Sequence, residues 1–270
     1  MNKTRLNWTL EETRAALILY HMIPFGSISA NNPRIIEFAK SIGRTSASVS
    51  MKLSNFARFD PALQQRGVAG LTHGSKLDEK VWNEFEIKPE EFILKGEAAL
   101  AKLQGKNLKE IVEKELADNG IILPKGSERK AMVTKRVNQE FFRKRLLISY
   151  GHKCCITGMS VGRMLVASHI IPWSDKNYTH KRTDPRNGLL LNSLHNQAFD
   201  TGLITVTPDY TVKASEYIKS LPPNDMTKAW LIDIDGQKIT LPNKYLPDEE
   251  CLRYHNERIF INTAQMAKLS

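Results

Sequence analysis

RMLVASHIIPWSD (residues 163–175) and, after a basic loop, DPRNGLLLNSLHNQAFDTGLITV (residues 184–206) read as strand, strand and helix in close succession. The first run is β-branched and apolar, and its exit is set by Pro172. GLLLN gives a second short strand, and SLHNQAFD a short helix that Gly202 closes. LITV and YTVKAS follow as a hairpin around Pro208 and Asp209, and KCCIT, upstream of a glycine-containing turn at 158–162, reads as one more strand. On this layout His169 ends a strand, Asn187 opens the next, and His195 lies in the first turn of the helix. The three side chains are expected to converge in one shallow cleft. The intervening loop, WSDKNYTHKRTDPR, carries Lys176, Lys181, Arg182 and Arg186 beside it, where a phosphodiester needs its charge neutralised.

The first sixty residues read as helices. Thr9 and Glu12 have capping-box spacing, and Leu10, Ala15, Leu17, Ile18 and Tyr20 form an apolar stripe. PRIIEFAKSI opens on Pro33 and stops at Gly43. TSASVSMKLSNFARFD then places Val49, Leu53 and Phe56 on one face. A short helix ending in glycine, a turn and a polar third helix are the layout of a helix-turn-helix. In that reading Arg44, Ser46, Ser48, Lys52, Asn55 and Arg58 face DNA. A three-helix bundle that binds protein or packs on its neighbour is the alternative. Residues 63–125 read as a helical connector with surface helices of mixed charge. TKRVNQEFFRKRLLISYG reads as a basic helix with Val137, Phe141, Leu146 and Leu147 inward, suited to a phosphate backbone or to an ordinary solvated face.

The chain of 270 residues suits two domains, and 41% hydrophobic with 25% charged residues is ordinary for a globular protein. No apolar run approaches a membrane span, and MNKTRLNWTLEE lacks a signal-peptide core, so a cytoplasmic protein is expected. A net charge of +10 points to a polyanionic partner. Cys154, Cys155 and Cys251 offer no C-x-x-C pair for a structural zinc; all three are expected reduced, with Cys154 or Cys155 buried in a strand. His152, His180 and the Tyr254-His255 pair read as loop or surface residues. No phosphate-cradling glycine loop occurs.

HIIPW, NGLLL and LHNQAFDTGLI in that order resemble the HNH endonucleases of the ββα-metal fold, most of all their restriction-endonuclease branch. The resemblance covers roughly residues 150–215. It implies an α+β chain: a helix-turn-helix-like DNA-reading domain (1–62), the helical connector (63–125), and an HNH nuclease domain with a C-terminal extension (126–270). It implies a DNA endonuclease that uses one divalent metal, Mg²⁺ with Mn²⁺ or Ni²⁺ as substitutes, in restriction or antiviral defence. His169 matches the general base, Asn187 the residue that ties down the loop, and His195 the metal ligand on the helix. Many relatives place Asp or His immediately before the base, and here that position is Ser168. Metal binding through Ser168 and waters, a contribution from Asp200 or Asn196, and a weak site remain open. The partners implied are double-stranded DNA, a second copy of the chain for a double-strand break, and an activating protein of a defence system. A DNA-binding regulator with a degenerate HNH domain, favoured by Ser168, and an effector released by a partner are the rival readings.

Overall fold

The structure, a computed structural model, describes residues 7–64, 67, 75–222 and 224–262. They divide into two compact units, Met1–Phe141 and Phe142–Ser270.

The first unit is helical: α1 (Leu10–His21), α2 (Pro33–Ser41), α3 (Ser46–Phe56), α4 (Pro61–Gln64), α5 (Lys76–Ile87), α6 (Pro89–Leu103) and α7 (Leu108–Asp118). Each start has a chemical cause. The capping box of Thr9 and Glu12 opens α1, Asn32 caps α2 with Pro33 in its first turn, and Thr45 caps α3. Gly43, at φ 65°, turns the chain between α2 and α3. The connector is more than a charged surface, because Val81, Trp82, Phe85, Phe92 and Ile93 are buried. On α6, Gly96 lets the helix approach α1: a Cβ there would lie 2.5 Å from Ile18 Cγ1.

Helix α8 (Gly126–Ser149) supplies residues up to Phe141 to the first unit and the remainder to the second. The second unit is built on an antiparallel pair, β1 (Leu165–His169) and β2 (Gly188–Asn192), in register from Leu165 opposite Asn192 to His169 opposite Gly188. Helix α9 (Ser193–Asp200) follows β2 directly, its start capped by Asn192. A second pair, β3 (Ile204–Val206) with β4 (Val212–Ala214), comes next. Short helices α10 (Glu216–Ser220) and α11 (Asp225–Thr227), a π-turn over Lys228–Ile232, and α12 (Glu249–Arg258) complete the unit.

All of β2 is buried, and Leu189, Leu190 and Leu191 pack with Phe142, Leu146, Phe199 and Leu252 in one core. Gly202, at φ 74°, is required by contact: a Cβ would lie 2.1 Å from the Ile259 carbonyl oxygen. Thus the segment after α12 is seated on the end of α9.

One strand expectation is corrected. KCCIT is a tight turn, with the Gly158 N–H donating to the Cys154 carbonyl, while Cys155 donates its N–H to Leu190. The three cysteines are free and buried. Beyond β4, Lys228–Ile232 forms the π-turn, and Lys238 makes an isolated bridge to Thr211. His255 is also not on the surface. It is 1% exposed, stacked on Phe199 at 3.6 Å, with its ring nitrogens 2.8 Å from Thr205 Oγ1 and 3.0 Å from the Phe199 carbonyl oxygen.

Candidate active site

His169 closes β1 and is held from three sides. Its ring stacks on Phe142 at 3.9 Å and 12°, and Trp173 meets it edge-on at 5.5 Å. Nε2 lies 2.8 Å from the Arg182 carbonyl oxygen. A carbonyl only accepts, so Nε2 carries the proton and Nδ1 keeps its lone pair, with no hydrogen-bond partner among the described residues. Burial lowers the imidazole pKa to about 4, so the ring is neutral at pH 7.

Asn187 is 1% exposed and uses its whole amide on backbone. Oδ1 accepts from the Ile171 N–H at 2.8 Å, and Nδ2 donates to the carbonyls of Ile171 at 3.1 Å and Lys181 at 3.3 Å. It therefore fixes both ends of the loop that carries Trp173 and leads to Arg182. An amide does this without bringing a charge near the His169 ring.

His195 occupies different surroundings. It is fully buried, Nε2 lies 2.7 Å from the Trp230 carbonyl oxygen, and Nδ1 lies 2.9 Å from Asn192 Nδ2. By the same logic Nε2 donates, and Nδ1 accepts from the amide, so both nitrogens are engaged. Thr157 Oγ1 is 3.3 Å from that amide and Cys154 Sγ 3.8 Å. The expected convergence thus joins His169 with Asn187, while His195 sits in a separate polar cluster.

The residue after His195 faces another way. Asn196 Nδ2 donates to Asp200 Oδ2 at 2.9 Å, and Ser168 Oγ is 3.4 Å from Asp200 Oδ1. Asn196 Oδ1 is buried with no hydrogen-bond partner among the described residues. Flipping the amide would set its oxygen against a carboxylate, so the orientation is settled by charge. Burial raises the Asp200 pKa. A hydroxyl, an amide oxygen and a carboxylate are hard-oxygen donors of the kind that suit Mg²⁺ or Mn²⁺. Among the described residues no group of three or more His, Cys, Asp or Glu could hold a metal.

The family model of the HNH endonucleases matches residues 154–207, from Cys154 through β3. This segment is an HNH endonuclease domain. No curated protein matches the chain.

Around the HNH domain the expected phosphate contacts are partly occupied. Lys181 is 8% exposed and pairs with Asp248 at 2.9 Å and Glu250 at 3.3 Å. Arg182 donates from Nε to the Trp173 carbonyl at 2.9 Å and lies over that ring. Arg186 is exposed beside Asp184, its guanidinium 2.7 Å from the carboxylate. In the first unit Arg44 pairs with Glu12 at 3.0 Å, and Lys52, 4% exposed, pairs with Asp78. Ser48 and Asn55 are half-buried on α3. Sequence reading missed Phe142 and Trp173 as supports of the His169 ring. Trp173, in the HIIPW motif, was the available signal; Phe142 gave none, being one more apolar residue on a helix.

Proposed function

We propose that this chain is a metal-dependent HNH endonuclease that hydrolyses DNA phosphodiester bonds, in restriction or another antiviral defence. The observation that carries it is the His169 tautomer: a neutral imidazole with Nε2 tied to a carbonyl and Nδ1 left to accept. Nδ1 takes a proton from water, the water oxygen attacks phosphorus, and the bond to the 3′ oxygen breaks. The 3′ oxygen leaves and is protonated by solvent, giving 5′-phosphate and 3′-hydroxyl ends. An imidazole with a pKa near 4 is a weak base, but a phosphate anion beside it raises its proton affinity toward the working range.

Ser168, Asn196 and Asp200 would hold a divalent cation through oxygen. When bound, that ion supplies charge stabilisation to the phosphate and the leaving oxygen. The ligand role expected of His195 passes to Asn196 in this reading, because His195 has both nitrogens engaged within the protein. Successive residues of a strand face opposite sides, so Ser168 turns toward α9 and His169 toward α8. A phosphate at the end of β1 has the base on one side and the oxygen set on the other.

Supercoiled plasmid incubated with the purified protein and Mg²⁺, Mn²⁺ or Ni²⁺ tests the reading. Nicked or linear product that EDTA abolishes supports it. Binding of DNA without cleavage under any of the three ions would favour the regulator with a degenerate HNH domain, the reading to which Ser168 lends weight.

A further inference from the structure

We infer that Phe142 is a positioning residue for the general base: its ring, stacked on the His169 imidazole, fixes the plane that puts Nε2 on the Arg182 carbonyl and leaves Nδ1 facing substrate. The inference rests on the function proposed above and adds to it a residue outside the HNH segment. The torsion that turns an imidazole about its Cβ–Cγ bond is broad and roughly two-fold, so the backbone alone does not set the ring plane. One hydrogen bond anchors Nε2, and a second constraint is needed to stop the ring from swinging about it. The near-parallel stack at 3.9 Å and 12° provides that constraint on one face, and the Trp173 edge limits travel on another side.

Phe142 is itself fixed. It is 1% exposed in the core of the second unit, on the part of α8 that packs against β2. Its Cζ lies 2.6 Å from where a Cβ on Gly188 would stand, and Leu146 Cδ1 lies 2.5 Å from the same point. Gly188 is the register partner of His169, so the residue opposite the base on β2 is the one whose missing side chain admits the stacking ring.

The experiment compares the full-length wild type with Phe142→Leu, Leu146→Val and His169→Ala. It reads single-turnover cleavage with Mg²⁺, DNA affinity, and the NMR shift of the His169 ring Cε1 proton. Displacing a catalytic group by about 1 Å can cost on the order of 10²-fold in rate. The expected result is a Phe142→Leu enzyme slowed on that scale with unchanged DNA affinity and loss of the upfield ring-current displacement that the stack should give wild type. Leu146→Val removes core volume from the same helix without touching the imidazole and should cleave at the wild-type rate. A Phe142→Leu enzyme as fast as wild type overturns the inference. So does equal slowing by Phe142→Leu and Leu146→Val, since packing alone then explains both, and so does a ring shift that Phe142→Leu leaves in place. Full activity in His169→Ala, or no cleavage by wild type, removes the proposed function and this inference with it. An inactive His169→Ala beside an unimpaired Phe142→Leu removes only the inference.

Discussion

Asn187 grips the peptide groups of Ile171 from both directions, accepting from its N–H at 2.8 Å and donating to its carbonyl at 3.1 Å. The side chain does for two loop segments what a strand partner would do, in a place where no strand runs. Asn187→Ala leaves those groups buried without partners, at about 1–3 kcal/mol for each unsatisfied group. The expected result is a lower urea midpoint together with loss of cleavage. A variant of wild-type stability would show that the loop is held by other contacts.

His169→Ala and His195→Ala should fail in different ways. Loss of the base should slow cleavage by on the order of 10² to 10⁴-fold while leaving stability and DNA affinity near wild type. His195→Ala removes a buried ring that links Asn192 to the Trp230 carbonyl, so it should lower the melting temperature, and added Mn²⁺ should not restore it. Asn196→Ala should keep its stability and recover activity at raised Mn²⁺. Rescue of His195→Ala by Mn²⁺, with none for Asn196→Ala, would return the ligand role to the histidine.

Stability should fall on mild acidification. His169 and His255 are both held near a pKa of 4 by burial, below the roughly 6.5 of an unfolded imidazole. With the folded value depressed, the unfolded chain takes up protons first as pH drops. The contribution of each neutral ring is therefore complete above about pH 6.5 and is lost as pH falls toward 4. Within that window each group adds a slope of up to about 1.4 kcal/mol per pH unit. Urea unfolding from pH 7.5 to 4.5 measures this, and His255→Gln should flatten the curve. A wild-type stability independent of pH across this range would contradict the burial of neutral rings.

Much of the second unit was legible because its signals are local. The apolar run that ends at Pro172, the glycine that starts β2 and the Gly202 that closes α9 each act within a few residues, and β1, β2 and α9 lie where the pattern placed them. KCCIT misled because a short apolar run has no period to separate a buried strand from a buried turn. His195 and His255 could not be assigned from position along a helix. Their fate is set by the Trp230 carbonyl and Thr205, which lie 35 and 50 residues away in the chain. The pairing of Lys52 with Asp78 was hidden for the same reason, with a charged residue on a polar helix reading as solvated until its partner is known.

Gly188→Ala should be costly for one methyl group. The added carbon would stand 2.5 Å from Leu146 Cδ1 and 2.6 Å from Phe142 Cζ, so two core side chains must move. Overpacking of this kind costs about 1–3 kcal/mol. Denaturant unfolding should show the loss. A wild-type midpoint would mean that the core beside β2 has slack that these contacts do not suggest.

Lys52 divides a DNA-reading α3 from a structural one. Its ammonium, 4% exposed, pairs with Asp78, which is fully buried, and lies 4.7 Å from the centre of the Trp8 ring. Arg44 lies 4.5 Å from the same ring and pairs with Glu12. Removing one member of a buried pair strands the other charge, at about 3–5 kcal/mol, whereas replacing both with apolar residues of similar volume is often neutral. Lys52→Ala should therefore unfold at much lower urea, and Lys52→Met combined with Asp78→Leu should recover most of the loss. A phosphate contact behaves otherwise: its removal would leave stability alone and reduce the salt slope of DNA binding by about one unit. Binding titrations of the double variant at several salt concentrations separate the two. An unchanged slope places Lys52 in the architecture of the first unit and leaves Ser48 and Asn55 as the residues by which α3 could meet DNA; a reduced slope in a fully stable variant would put Lys52 on the duplex.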